Sequence, residues 1–507
     1  METRFISGAR ARLKPLVACL GLALAMGTGF APAPASAEVS QQFDHRQPLP
    51  IVSTKTLEQR LASGDPLAAR AAAALANARP PRPDGGISIP VSNCDDDGVG
   101  SLRDAVENIA ASGDTVDMAG LACSTITLTS GAIFVAVDDL TILGPGDNLS
   151  SVTIDGNYNG EVFVHLGVGT LDLEDMTILN GAKYTTDDSN APGGGIYSQG
   201  SVALLDSGVK YCIAEAQGTG TAMGGGVYAK LGFNAIRSTI SGNIARGTTE
   251  RASGGGVFTQ GTFFAKYDWF RNNSAEVSSL GAYGYGGAIW SNGDATLLNS
   301  TISANSAGVV AGADLIGTGS TQQLEIGNTT ITDNYAYHSG YGSGLYVGTA
   351  STVSNCTITG NVEKNTSDTK YGAGINIGIF ASLTLQSSIV SANTIDSASG
   401  YLPDDIGAVG LGTLSGGANN LIGYAVTPVE MPPDTIVTFD PGLGPLGQNG
   451  GPTPTMVPLY SSLAINHGNN VNGGKYDQRG PGYPRVVGSN ADIGAVETDV
   501  IFANGFD

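Results

Sequence analysis

Three carboxyl groupings are the residues best equipped to do chemistry in this chain: Asp95-Asp96-Asp97, Asp187-Asp188 and Asp404-Asp405. Two carboxyls on one face at a suitable separation act as acid and base, or acid and nucleophile, on a glycosidic bond. All three groupings lie in turn-like sequence, where acids commonly shape turns or sit at the surface, so no catalytic residue is assigned. The histidines His45, His165, His338 and His467 are scattered and suggest no metal site. Lys266 and Arg271 stand out as basic positions beside Tyr267, Asp268 and Trp269. That stretch reads as a local aromatic repacking or, more sharply, as a cryptic site. A third set is aromatic: Tyr184, Tyr283, Tyr285, Tyr335, Tyr337, Tyr341, Tyr371 and Tyr401, with Glu215, Glu250, Glu276, Asp368 and Asp396 nearby. Tyrosine offers an apolar ring with a polar tip, suited to sugar rings. Tyr283, Tyr285, Tyr335, Tyr337 and Tyr341 are the candidate ligand-binding residues, and carbohydrate or a cell-surface component is the candidate partner. The nearby acids are of the type that hold Ca²⁺, but no ligand set is assignable and no other cofactor is expected.

The elements that must position these groups are repeats. A Gly-Gly-Gly-aliphatic-aromatic signature returns about every thirty residues, which marks a stack of like units. It reads Gly193 to Tyr197, Gly224 to Tyr228, Gly254 to Phe258 and, as Gly-Gly-Ala-Ile-Trp, Gly286 to Trp290. An Asn closes each unit: Asn243, Asn273, Asn305, Asn334, Asn361 and Asn393. Three residues before it sit Ile240, Phe270, Ile302, Ile331, Ile358 and Val390, and eight before it Ala235, Ala265, Leu297, Ile326, Val353 and Leu385. Polar and apolar residues alternate in these short segments, the period of a strand with one buried face. Short β-branched segments with Gly and Asn turns exclude a helical solenoid. The expected fold is all-β, a right-handed parallel β-helix. Its coils stack at ~4.8 Å, so nine or ten of them give a rod of roughly 45 Å. The Asn column is expected to be structural, tolerating the left-handed conformation and bonding along the stack.

Residues 1–37 look like a signal peptide. Arg10, Arg12 and Lys14 precede an apolar run from Leu16 to Met26, and Ala35-Ser36-Ala37 offers a cleavage site. The expected location is therefore secreted or at the outer cell surface, with no membrane span. Cleavage removes four basic residues and one acid, taking the net charge from −21 to −24. Such a surface repels nucleic acid, and polyanionic glycans too unless metal ions or a local basic groove intervene. A monomer is expected. Cys94 and Cys123 flank the opening segment and are expected to form a disulfide in an oxidising compartment. Cys212 and Cys356 fall five coils apart, too far to join, and are read as small core residues.

Along the chain we expect a leader over 38–86, an N-terminal cap over 87–130, β-helix repeats over 131–423, a Pro/Gly-rich C-terminal region over 424–497 that covers the far end, and a tail over 498–507. The leader is helical in composition from Thr56 to Ala78. Asn93-Cys94 followed by Gly100-Ser101-Leu102-Arg103-Asp104-Ala105-Val106 resembles the opening of secreted bacterial β-helix proteins of the pectin-lyase-like superfamily. The far end resembles the choice-of-anchor Q domain, through Gly450-Gly451-Pro452-Thr453-Pro454-Thr455, Ser462-Leu463-Ala464-Ile465-Asn466, Asp477-Gln478-Arg479-Gly480 and Asp492-Ile493-Gly494-Ala495-Val496-Glu497. It departs in having Leu463 where Pro is usual and Val496 where Tyr is usual. With the coils, the resemblance covers residues 90–497.

This resemblance implies a surface protein, structural or adhesive. Its superfamily also includes polysaccharide lyases and hydrolases, which is the alternative reading. Neither the Asn-Thr-Asp nor the Gly-His-Gly pattern of polygalacturonases is present. Arg479-Gly480-Pro481-Gly482-Tyr483-Pro484-Arg485 is one residue longer than the Arg-x-Pro-x-x-Arg pattern of pectate lyases, and it falls within the C-terminal motif. Whether the chain is an enzyme is left open, leaning against.

Overall fold

The computed structural model describes residues 66–146, 152–248, 251–278, 283–317, 322–338, 340–364, 370–426, 428–470 and 473–498. The signal-peptide reading, the tail from 499 onward, Glu250 and Asp368 fall outside them. The described chain is a parallel β-solenoid of about ten turns, each about 31 residues long. Successive coils pass through their sheets in the same order, the third sheet joining from Ala182–Thr185 onward. A first sheet of twelve strands begins at Ser88–Pro90, a second of twelve at Thr125–Thr127, and a third of nine at Ala182–Thr185. A short sheet of four strands follows the third, and a fourth sheet of ten strands begins at Ile133–Val135. Pairing holds in register from coil to coil. Val202 pairs with Phe233, then Phe263, Ala295, Leu324, Ser351 and Leu383. These inward columns, with Ile240, Ile302, Ile331 and Ile358, form one continuous core.

Two internal ladders of polar side chains close the turns. Between the second and third sheets, each Asn accepts from the backbone N–H and the side-chain amide of the Asn one coil earlier. The backbone bonds measure 2.7–3.2 Å and the amide bonds 2.8–3.0 Å. Each amide also donates to a carbonyl of the preceding coil, as Asn305 does to Phe270. Asp405 receives the last pair of bonds, and Cys212 stands at the start, its N–H bonded to Asn243. The expectation that the Asn itself takes the left-handed conformation is corrected. Positive φ belongs to the residue before it: Tyr211 (55°), Gly242 (68°), Asn272 (53°), Ala304 (55°), Asp333 (57°), Gly360 (68°) and Ala392 (61°). The chain reverses at that residue, which turns the next side chain into the rod.

A second ladder runs at the turn between the first and second sheets, through Ser207, Ser238, Asp268, Ser300, Thr329, Cys356, Ser388 and Asn420. Their side chains take backbone N–H groups of the coil before, as when Ser207 N–H donates to Ser238 Oγ and Cys356 N–H to Ser388 Oγ. The glycine signature also serves the Asn ladder. A Cβ on the third glycine would lie 3.0 Å from Asn243 at Gly226, 2.9 Å from Asn361 at Gly344 and 2.6 Å from Asn393 at Gly374. Gly and Asn thus recur together because they touch.

Both ends are covered. Leu102 and Val106 join the core at the first coil, and buried Arg103 donates to the carbonyls of Gly131 and Ala132. Cys94 and Cys123 are joined by a disulfide, with Cα atoms 6.3 Å apart. Helix Pro66–Asn77 lays Ala71 and Ala74 on Phe134 and Val164 of the fourth sheet. Cys212 and Cys356 are free and buried, and burial pushes both thiols up to about 12.

At the far end, Ile436–Val437 adds one more rung to the second sheet. Residues beyond it run back along the outside of that sheet. Gly494 N–H donates to Ser387 O, Ala495 N–H to Thr357 Oγ1, Thr330 Oγ1 to Gln478 Oε1, and Thr301 Oγ1 to Pro454 O. This strap reaches Tyr267, against which Gly480 packs. Among the described residues, no helix is long and apolar enough to cross a membrane.

Candidate functional site

The five tyrosines named above do not form one exposed row. Tyr285 is buried, and Tyr283 and Tyr341 pack beside it against a cluster containing Tyr228, Phe258, Trp290 and Tyr346. Tyr337 donates its hydroxyl to Ala275 O, and His338 stands edge-on to both Tyr337 and Tyr283. Burial raises the hydroxyl pKa of both Tyr285 and Tyr337. Only Tyr335 is exposed, at 37%.

Buried tyrosines cover an outward-facing aromatic ladder on the fourth sheet. Its register runs Tyr197, Tyr228, Phe258, Trp290, Asp314, Tyr346. The rings stack with centroids 5.4, 5.3 and 4.3 Å apart. Asp314 interrupts the ladder, is wholly buried, and neither of its oxygens has a hydrogen-bond partner. Burial pushes its carboxyl up to about 7, against the pull of Arg251.

A different set of tyrosines faces solvent along the third sheet. Tyr158, Tyr184 and Tyr211 are 50%, 53% and 57% exposed and interact electrostatically at one end of that side. Near the other end, Tyr335 lies within the electrostatic reach of Asp396 and of Tyr401, which is 68% exposed. Between them the outward column passes from Tyr184 to Glu215, Arg246 and Glu276. Arg246 bridges both glutamates, at 3.2 and 2.9 Å. Tyr335 stands five rungs from Tyr184, or ~24 Å at sheet spacing. Tyr158 and Tyr211 escaped the sequence reading, although both occupy left-handed turn positions, with φ of 54° and 55°. A side chain at such a corner points out of the rod, and that position relative to the ladder was the available signal.

The carboxyl groupings are tied into the backbone. Asp96 accepts from Arg103, Thr129 and Ser130, and despite partial burial these bonds hold it down at about 2. Asp188 accepts from Thr219 N–H. Asp404 takes the N–H groups of Tyr371, Gly372 and Ala373, while its neighbour Asp405 points into the rod to end the Asn ladder. Burial raises them to about 6 and about 7. Neither faces a surface a substrate could reach, since both are wholly buried. Arg479 pairs with Asp477, and Arg485 is buried in the strap beside Glu497. Among the described residues, no group of three or more His, Cys, Asp or Glu could share a metal ion. Comparison with family models, with curated proteins and with solved structures finds no match.

Proposed function

We propose that this chain is an extracytoplasmic rod, structural and adhesive, that binds an extended neutral glycan along its third sheet. The observation that carries the reading is the exposed face itself: two tyrosine groups ~24 Å apart, with the Glu215–Arg246–Glu276 ladder on the rungs between them. The rings offer stacking surfaces and the charged ladder offers hydroxyl partners between them. A neutral ligand avoids the repulsion that a net charge of −21 imposes on polyanions. The Cys94–Cys123 disulfide supports an oxidising compartment. The resemblance of residues 450–497 to the choice-of-anchor Q domain supports cell-surface attachment.

The test is binding of the full chain to a panel of neutral polysaccharides and to cells, beside the triple variant Tyr184→Ala, Tyr335→Ala and Tyr401→Ala. We expect the variant to lose roughly tenfold or more in affinity, about 1.4 kcal/mol or greater. Unchanged binding by the variant would overturn the reading. New reducing ends released from any polysaccharide would replace it with a lyase or hydrolase.

A further inference from the structure

The second sheet carries two cations that neither the fold nor the third-sheet face uses. After Thr127, Asp155 and Leu179 on the earlier rungs, its outer column reads Lys210, Ser241, Arg271, Ser303, Thr332, Thr359, Ser391. Of the seven from Lys210 onward five are small hydroxyl residues, so the fold does not require cations there. Lys210 and Arg271 are nevertheless partly buried, two rungs apart on the same face, or ~10 Å at sheet spacing. Among the described residues neither meets a carboxylate, in a chain with 45 acidic and 24 basic residues. Arg246 and Arg237, by contrast, pair with acids on neighbouring rungs. Two cations without an acid between them repel each other, and this repulsion, after burial, lowers the pKa of Lys210.

The surroundings form a notch. Arg271 lies over Trp269, its Cζ 4.0 Å from the ring centroid, with Nε buried and unbonded. Trp269 is fixed by a 2.9 Å bond from Nε1 to Ser303 Oγ. On the other side Lys210 leans over Gly208, and the exposed ring of Tyr211 lies against Gly242. The rung between carries only Thr239, Ser241 and Gly242. The strap covers the same sheet from Thr301 onward and ends on Tyr267, two residues before Trp269. The notch therefore opens just where the strap ends.

We infer that Lys210, Arg271, Trp269 and Tyr211 form a binding notch for one anionic group, a carboxylate or a sulfate ester, carried on a sugar ring. Charge-assisted bonds from the ammonium and the free guanidinium edge hold the oxyanion, and the two aromatic side chains flank the ring. The acidic surface around the notch repels a polyanion, so the ligand is a single acidic unit on an otherwise neutral sugar. The cations and Trp269 of this notch lie on another face than the third-sheet reading, and only Tyr211, at the corner between the second and third sheets, is common to both.

The chain has two tryptophans, so Trp290→Phe leaves Trp269 as the only reporter, and Phe258 already shows that a Phe fits that ladder. In this background at low salt, tryptophan fluorescence is titrated with glucuronate, glucose 6-sulfate, glucose and inorganic sulfate. A saturable change is expected with one or both sugar anions, and which of them acts identifies the anionic group. Glucose and inorganic sulfate should bind about tenfold more weakly, or worse. Lys210→Ser and Arg271→Ser should each weaken the sugar anion about tenfold, with little change in melting temperature, since Ser already fills this column. Equal binding by the double variant sinks the inference. So does inorganic sulfate binding as well as the sugar anions, or no saturable change up to about 50 mM.

Discussion

An Asn inside the rod satisfies three needs at once. Asn305 accepts the N–H and side-chain amide of Asn273, and donates to Phe270 O and Asn334 Oδ1. A ladder of this kind has a direction, each Asn giving its backbone N–H and one amide hydrogen to the next rung, so within the ladder its last member needs only to accept. Asp405 meets that need, which explains an acid where an Asn would be expected. Replacing Asn305 by Ala takes the acceptor from the N–H of Asn273 and from one hydrogen of its amide, whose other bond to Ile240 O remains, and takes a donor from Phe270 O, all in a dry interior. Each such group costs ~1–3 kcal/mol. We expect a loss of about 3–5 kcal/mol in urea denaturation; a loss within about 1 kcal/mol would show that the ladder is dispensable. The Asn column was legible in the sequence because it repeats. That the preceding residue bears the strained backbone was not, since Tyr211, Asn272, Ala304 and Asp333 share no side-chain type.

The strap is the element that sequence periodicity could not place. Its partners lie far back along the chain, as Gln478 shows by bonding to Ser300, Thr301 and Thr330. Local pattern reveals a strand by its neighbours two residues away, but a segment without a repeat gives no sign of which face it will cover. The row Thr301, Thr330, Thr357 was visible, yet Thr is equally at home on a bare sheet. The same limit hid which tyrosines are exposed: Tyr335 begins a strand and faces outward, while Tyr285 folds back over Trp290. Gln478 is the strap's hub, wholly buried and also bonded to Thr453 and Pro454. Gln478→Ala should destabilise the protein by roughly 2–4 kcal/mol, because several buried groups lose partners together. Hydrogen exchange should rise across 453–497 and at Thr301 and Thr330 while the coils before 260 stay protected. Uniform exchange changes along the rod would instead mean that strap and coils unfold as one unit.

Among the described residues, most buried acids whose pKa burial raises lie in the later coils, with Asp268 an earlier one. Asp314, Glu363 and Asp405 lie in or beyond the coil of residues 313–336, and burial pushes them up to about 7, about 8 and about 7. Glu363 replaces an alanine in the column Ala214, Ala245, Ala275, Ala307, Ala336. It accepts the N–H groups of Gly340 and Gly342, in a coil beyond the last strand of the short sheet. Each of these carboxyls binds its proton more tightly when folded than when unfolded. Between the unfolded value, near 4, and the folded one, the native state therefore holds more protons, and stability falls as pH rises. Asp96 acts in the opposite sense, and its contribution is lost only as pH falls below about 4 toward 2. Stability should consequently peak near pH 4–5 and decline by on the order of a few kcal/mol by pH 8. Surface repulsion from the net charge of −21 would produce a decline of the same sign. Asp314→Asn with Asp405→Asn separates the two causes, because an amide at either site no longer titrates. This double variant changes the surface hardly at all, yet should flatten much of the slope between pH 5 and 8 and be the more stable protein at pH 8. Melting temperatures across that range decide the matter: a slope as steep as the parent's would assign the pH dependence to the surface instead of the buried acids.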